Sequence, residues 1–328
     1  MNDAPSHRLS VAPMMDWTDS LCRRFHRLLS RRALLYTEMV TAAALVRGRA
    51  LHLLDHDPAE QPLALQLGGS APRELAAAAR MGAEAGYREI NLNVGCPSDR
   101  VQSGCFGAVL MRTPARVGEI CAAMAAAAPG AEITVKCRLG VDEQDPAEAL
   151  PALLSAVQAA GVRRVIVHAR KAWLQGLSPR QNREIPPLDH AFALSMKAAF
   201  PDLALVLNGG IASLEAAEAL LAAGADGVMI GRAAYHRPLA ILGAADRRIW
   251  GAEVCDADPV AVAEAMRPVI AAHLAGGGRM GAVTRHMLGL FADRPGARIW
   301  RQALTQAGNG TLFDYDAILT RLRERLAA

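Results

Sequence analysis

Short runs of β-branched and aliphatic residues alternate with Ala/Leu-rich stretches of helical period from Leu9 to about residue 245. The runs predict eight strands: Leu9–Met14, Leu34–Met39, Pro62–Leu67, Glu89–Asn93, Glu132–Arg138, Arg164–Ala169, Leu203–Asn208 and Gly227–Ile230. The stretches between them predict helices near 18–29, 41–54, 72–85, 114–128, 146–160, 190–199 and 213–223. Caps or early prolines open several of these, at Ser70-Ala-Pro72, Thr113-Pro114 and Ser213, and glycines close them at Gly86, Gly130, Gly161 and Gly224. Strands such as Val165-Ile-Val167 and Leu203-Ala-Leu-Val-Leu207 are apolar throughout, as expected when a parallel sheet is covered on both faces. Eight β/α units in about 240 residues are the arithmetic of an α/β (β/α)8 TIM barrel rather than a doubly wound sheet.

From about residue 250 the strand-like runs stop. Helical patterning near 258–274, 279–291, 295–307 and 314–327 predicts a small all-α domain, broken at Gly276-Gly-Gly278, Pro295-Gly296 and Gly308-Asn-Gly310. The expected division is a barrel over residues 1–248 and a helical domain over 249–328, packed closely because no low-complexity linker separates them.

Composition narrows the function classes. The chain has 328 residues, 52% apolar and 21% charged, so material for a large core is present and disorder is excluded. No uninterrupted apolar run reaches the roughly 18 residues of a membrane span. Met1–Ser10 has no apolar signal-like region, which makes the cytoplasm the expected compartment. The six cysteines are not a disulfide framework, and none are spaced C-x-x-C for a structural zinc, so no metal is expected. Net charge is +4, yet of the 36 basic residues only Lys136, Lys171 and Lys197 are lysines. A lysine kept in so arginine-rich a chain hints at a place where a guanidinium would not serve.

In a barrel, chemistry gathers at the C-terminal strand ends. Those ends read Pro13-Met-Met-Asp16, Glu38, Gln66-Leu-Gly-Gly69, Asn91-Leu-Asn-Val-Gly-Cys-Pro-Ser98, Lys136-Cys-Arg138, His168-Ala-Arg-Lys171, Asn208-Gly-Gly-Ile211 and Gly231-Arg232. Asn208, Gly209 and Gly210 after the seventh strand, with Gly231 and Arg232 after the eighth, match a phosphate cradle of close backbone and a guanidinium. Lys136 ends an apolar run; it either pairs with a rim carboxylate such as Glu38 or faces an electron-rich ring or a carbonyl oxygen. His168 is placed similarly. Cys121 and Cys255 read as buried fillers, and Cys137 as facing away from Lys136. Cys96, flanked by glycine and proline in a rim loop, should be exposed and fixed, the best acid, base or nucleophile in the chain. Two stretches are basic: 163–184, with Arg163, Arg164, Arg170, Lys171, Arg180 and Arg183 against Glu184, and 279–301, with Arg279, Arg285, Arg294, Arg298 and Arg301 against Asp293. Facing one cleft, they would suit a polyanion.

Ala12-Pro-Met-Met-Asp-Trp-Thr-Asp19, Leu35-Tyr-Thr-Glu-Met39, Leu65-Gln-Leu-Gly-Gly69, Ile90-Asn-Leu-Asn-Val-Gly-Cys-Pro-Ser-Asp-Arg100, Thr134-Val-Lys136, His168-Ala-Arg-Lys-Ala-Trp173 and Asn182-Arg-Glu-Ile-Pro-Pro-Leu188 together resemble the tRNA-dihydrouridine synthases. The resemblance is closest to the bacterial A subfamily and extends into Arg285-His-Met-Leu-Gly-Leu290 and Pro295-Gly-Ala-Arg-Ile-Trp-Arg301. It implies an FMN-bearing barrel with a helical tRNA-binding domain, reducing the C5–C6 double bond of uridine with NADPH at D-loop positions 20 and 20a. Carried over residue by residue, Pro13, Met14, Met15, Gln66, Lys136 and His168 would line the flavin, and Asn208, Gly209, Gly210, Gly231 and Arg232 would hold its phosphate. Asn93 would contact the target nucleotide, while Arg180, Arg183, Arg298 and Arg301 would orient the tRNA. Cys96 would give the proton that C5 needs, although Cys105 adds a second thiol to the same loop. A monomer is expected. The rival readings are an FMN-dependent small-molecule ene-reductase or dihydroorotate-type dehydrogenase, an aldolase-type barrel using Lys136 as a Schiff-base lysine, and a non-enzymatic RNA-binding barrel.

Overall fold

The computed structural model describes residues 5–98 and 104–327. Its sheet holds β1 (Leu9–Val11), β2 (Leu35–Thr41), β3 (Leu63–Gly68), β4 (Glu89–Asn93), β5 (Glu132–Arg138), β6 (Arg164–His168), β7 (Ala204–Asn208) and β8 (Gly227–Ile230). All pairings are parallel between sequence neighbours from β2 to β8, and β8 returns to β1. The ring closes at a Ser10–Leu34 bridge, where the Val11 amide donates to Leu34 at 2.9 Å and the Leu34 amide to Leu9 at 3.0 Å. The barrel expected from the sequence is the fold.

A helix follows each strand. Asp19, Asp145, Asp189 and Ser213 cap the helices Ser20–Leu29, Pro146–Ala159, His190–Ala199 and Leu214–Ala222 through side-chain acceptors. Thr113 makes no such cap; its hydroxyl donates to Leu110 instead. The helix expected over 41–54 is split into Ala42–Val46 and a 3-10 turn at Leu51–Leu54, because Arg49 between them takes a left-handed φ of 50°. The one expected over 258–274 is likewise two helices, Pro259–Ala265 and Arg267–Ala275, divided where Pro268 removes a backbone donor.

Alternation along the strands sorts the core into two compartments. Leu65, Leu67, Val135, Cys137, Val165 and Val167 belong to the main cluster shared with the surrounding helices. Ala12, Leu34, Tyr36, Ala64, Ile166, Val206 and Met229 form a separate apolar cluster. The buried residues that alternate with the main cluster on β3 to β6 include polar ones: Gln66, Glu89, Asn91, Asn93, Thr134 and Arg164.

Beyond Trp250 the described chain is helical wherever it is regular. Trp300 lies fully buried there, its indole N–H donating to the Met287 carbonyl at 2.8 Å, with Phe291 and Tyr315 against the ring. These helices pack on Ser20–Leu29. The junction centres on Asp19: its carboxylate caps that helix and also accepts from Arg285 at 2.6 Å and His286 at 3.1 Å. Tyr235 hydrogen-bonds His286 at 3.2 Å and stacks on Trp17, so the loop after β1 is tied to the same point. No helix among the described residues is long and apolar enough to cross a membrane.

Candidate active site

The loop after β4 is held from three sides. Asn93, at the end of the strand, accepts from the amides of Gly95 at 3.1 Å and Cys96 at 3.0 Å. The Cys96 carbonyl accepts from Ala108 at 2.9 Å, which pins the far end of the loop. Arg138, almost fully buried, donates to the Gly95 carbonyl at 3.2 Å. Cys96 is therefore geometrically fixed, as expected, but half-buried rather than exposed, with its sulfur 3.4 Å from the Ser98 hydroxyl. Asp99 and Arg100 of the same motif lie outside the described residues. Cys105 is exposed with φ of 56°, an uncommon conformation for a side-chain-bearing residue. Cys121 and Cys137 are buried, but Cys255 is exposed in the irregular segment before Pro259, contrary to the sequence reading.

Across the mouth, positive charge accumulates. Lys136 makes no ion pair among the described residues; its ammonium donates to Asn208 Oδ1 at 3.1 Å, and the Asn208 amide in turn donates to the Met229 carbonyl at 2.7 Å. The alternative of a Lys136–Glu38 bridge is overturned, since Glu38 accepts from the Asp16 amide instead. Burial first, then the neighbouring guanidiniums of Arg138 and Arg183, bring the Lys136 ammonium down to about 7. His168 is pushed well below its usual range by burial and by Arg138, Lys136, Arg170 and Arg183, so it is neutral. Its Nε2 is buried with no hydrogen-bond partner among the described residues.

The loop after β7 needs glycine. Gly209 and Gly210 take φ of 105° and 67°, and a Cβ on Gly209 would come within 2.7 Å of the His168 ring. The Gly209 carbonyl accepts from His190 Nε2 at 2.8 Å. Arg232 follows Gly231 at the start of a short helix and pairs with Glu184, which also lies 3.7 Å from Arg180. Lys136, Arg138, Arg170, Arg183 and Arg232 thus lie close enough to influence one another in part around the rim, and Glu184 answers Arg170, Arg183 and Arg232 there. An unpartnered buried imidazole nitrogen, a glycine cradle and this surplus of cations fit a planar anionic cofactor carrying a phosphate.

Other expected site residues are placed as follows. Pro13 and Met14 are half-buried at the end of β1, Met14 against Gly231, while Met15 is 56% exposed. Gln66 is buried with both polar atoms engaged, donating to Asn91 at 2.8 Å and accepting from Asn93 at 2.9 Å. Arg180, Arg183, Arg298 and Arg301 are exposed, and the last two line a shallow concavity with Gln302, Thr305 and Gln306. Two members of the basic stretches leave that set: Arg164 is buried against Glu89 and Glu132, and Arg285 is spent on Asp19.

Sequence reasoning missed Arg138 and Asn182 as organisers. Besides Gly95, Arg138 donates to the Lys171 carbonyl at 3.2 Å and the Asn182 carbonyl at 2.9 Å, joining the loops after β4 and β6. The signal was its i+2 spacing from Lys136, which puts both on one face of β5. Asn182 is fully buried and brackets Trp173 through its amide and carbonyl, shaping the loop that carries Arg180 and Arg183. Arg138→Met leaves three carbonyls without their donor; we expect a loss of about 2–4 kcal/mol, read as a melting point lower by roughly 3–6 °C. An unchanged melting point would show that water replaces the guanidinium.

A TIM barrel whose mouth sets a fixed loop thiol beside a cation-rich cradle suits a flavin-dependent oxidoreductase, and the family match makes it one. The chain matches the model of the dihydrouridine synthases (Dus) over residues 10–315 and belongs to that family. It is 52% identical over 303 residues to a tRNA-dihydrouridine(20/20a) synthase of Escherichia coli O6:H1 (strain CFT073), an alignment covering 92% of this chain and 90% of the relative. The tRNA-dihydrouridine(20/20a) synthase of Escherichia coli K12 is 53% identical, with 92% and 86% covered, and that of Vibrio cholerae 51% identical, with 92% and 91% covered. Among solved structures, an old yellow enzyme homologue from Zymomonas mobilis aligns with a TM-score of 0.54 at 12% identity, covering 76% of this chain and 90% of that one. That likeness is one of fold.

Proposed function

We propose that the protein reduces the C5–C6 double bond of uridine to 5,6-dihydrouridine in the D-loop of tRNA, at positions 20 and 20a, with FMN as resident flavin and NADPH as reductant. The observation that carries the reading is Cys96, a thiol fixed at the mouth within electrostatic reach of Lys136, Arg138 and Arg183. When bound, the flavin supplies the hydride that C6 of the uracil accepts. Cys96 holds the proton that C5 takes from the other side. Lys136 would offset negative charge on the flavin, and Pro13, Met14, Met15, Gln66 and His168 would line it. Asn208, Gly209, Gly210, Gly231 and Arg232 would hold the phosphate, for which Arg232 would leave its Glu184 partner.

The uridine must leave its stack to reach the mouth. Asn93 steers it there, and Arg180, Arg183, Arg298 and Arg301 grip the surrounding phosphates. Arg298 and Arg301 have no carboxylate partner among the described residues, which leaves their charge free for RNA. In this reading residues 1–248 are the catalytic domain and 249–328 the tRNA-binding domain of a cytoplasmic monomer. The test is anaerobic flavin absorbance. Protein reduced with NADPH should be reoxidised by tRNA lacking dihydrouridine, and not by free uridine or small enones. Reoxidation by enones alone would replace the reading with a small-molecule reductase.

A further inference from the structure

We infer that the base of the barrel sets the geometry of the reactive loop through a polarised hydrogen-bond relay, with Asn91, Thr134 and Glu89 as positioning residues for Cys96. The relay begins at the mouth, where the amides of Gly95 and Cys96 donate to Asn93 Oδ1. Asn93 Nδ2 donates to Gln66 Oε1 at 2.9 Å, and Gln66 Nε2 donates to Asn91 Oδ1 at 2.8 Å. Asn91 Nδ2 donates to the Thr134 hydroxyl oxygen at 2.9 Å, and that hydroxyl donates to Glu89 Oε1 at 2.9 Å. Glu89 also accepts from Tyr36 at 2.6 Å and is paired with Arg164 at 2.8 Å. Glu89 and Asn93 stand four residues apart on β4, so the relay climbs about 13 Å of the lumen at ~3.3 Å per residue.

The two ends dictate the direction. Backbone amides can only donate, and the Arg164-paired carboxylate of Glu89 can only accept. A carboxylate below Thr134 makes its hydroxyl a donor downward, which leaves its lone pair for Asn91. Asn91 then turns its carbonyl to Gln66, Gln66 its carbonyl to Asn93, and Asn93 its carbonyl to the loop. Flipping any one amide sets two donors or two acceptors face to face in a dry interior, where an unmet polar group is costly. The same constraint aims the remaining Gln66 N–H. Each member is almost fully buried, so water does not substitute for a broken link.

The consequence for turnover rests on the proposed function, but the relay can be read without it. Thr134→Val keeps the side-chain shape, deletes one hydroxyl and leaves the Glu89–Arg164 and Glu89–Tyr36 contacts intact. Thr134→Ser restores the hydroxyl. Amide hydrogen exchange across the segment holding Gly95 and Cys96 should be about tenfold faster in the valine variant and return to wild-type in the serine one. The rate of tRNA reduction at saturating tRNA should fall and recover in parallel, with KM for tRNA unchanged. Exchange at Gly95 and Cys96 that is the same in the valine variant as in wild-type, or a serine variant no better than valine, overturns the relay. A wild-type protein that ignores tRNA refutes the proposed function instead, and the exchange data still decide the relay.

Discussion

On the proposed function, Cys96→Ala should retain its flavin and oxidise NADPH at the wild-type rate, yet reduce tRNA about 10²–10⁴-fold more slowly, the usual worth of a positioned general acid. The two halves separate because the thiol makes no hydrogen bond to cradle or cation cluster among the described residues: its backbone is held by Asn93 and Ala108, and its sulfur contacts Ser98. Alanine keeps every one of the backbone bonds, so the loop stays in place and only the proton donor is lost. Stopped-flow measurement of the two half-reactions distinguishes this from a folding defect, which would slow both. Cys105→Ala should leave both unchanged. If Cys96→Ala turns tRNA over normally and Cys105→Ala does not, the exposed thiol is the acid.

The second large effect is pH-dependent. Lys136 falls from 10.5 to about 7 in the fold, chiefly through burial and then through Arg138. Between those values the unfolded chain carries a proton on this lysine that the folded, ligand-free protein lacks. The group therefore makes the flavin-free protein more stable as pH rises from about 7 to 10.5, a slope that Lys136→Met removes. Binding an anion reverses the preference and draws the proton back. Affinity for FMN should then fall above pH 7, approaching tenfold per pH unit, with proton uptake visible by calorimetry in two buffers of different ionisation enthalpy. In Lys136→Met both the pH dependence and the uptake vanish. A wild-type affinity flat from pH 7 to 9 would mean that the ammonium does not face the anion.

Legibility followed the range of the interactions. β4, β5 and β8 have the predicted ends, because their boundaries are written in local alternation and flanking turns. The rim residues were legible as well, since strand ends in a barrel share one face whatever their register. What was not legible depends on partners far along the chain. Glu89-Ile-Asn-Leu-Asn93 already shows three polar residues alternating with two apolar ones, but their partners stand on β2, β3, β5 and β6. Arg164 looked like part of a basic face for the same reason: nothing near it in sequence announces Glu89 and Glu132. Cys255 was misread because a lone cysteine is usually a buried filler, although Glu253, Asp256 and Asp258 beside it mark a segment that lies open.

The Asp19 junction has a geometric corollary. One carboxylate, shared by Cys22, Arg285 and His286, fastens the helical layer to the wall beside the first rim loop. Trp17 and Tyr235 brace the same corner from the mouth. If the arginines proposed to grip RNA do so, grip and mouth would work like the jaws of a caliper: this corner would hold the span between them, and the choice of nucleotide along the RNA would become a measurement of length. Loosening that corner would blur the measurement, spreading modification to neighbouring uridines before it weakened either the hold on RNA or the chemistry.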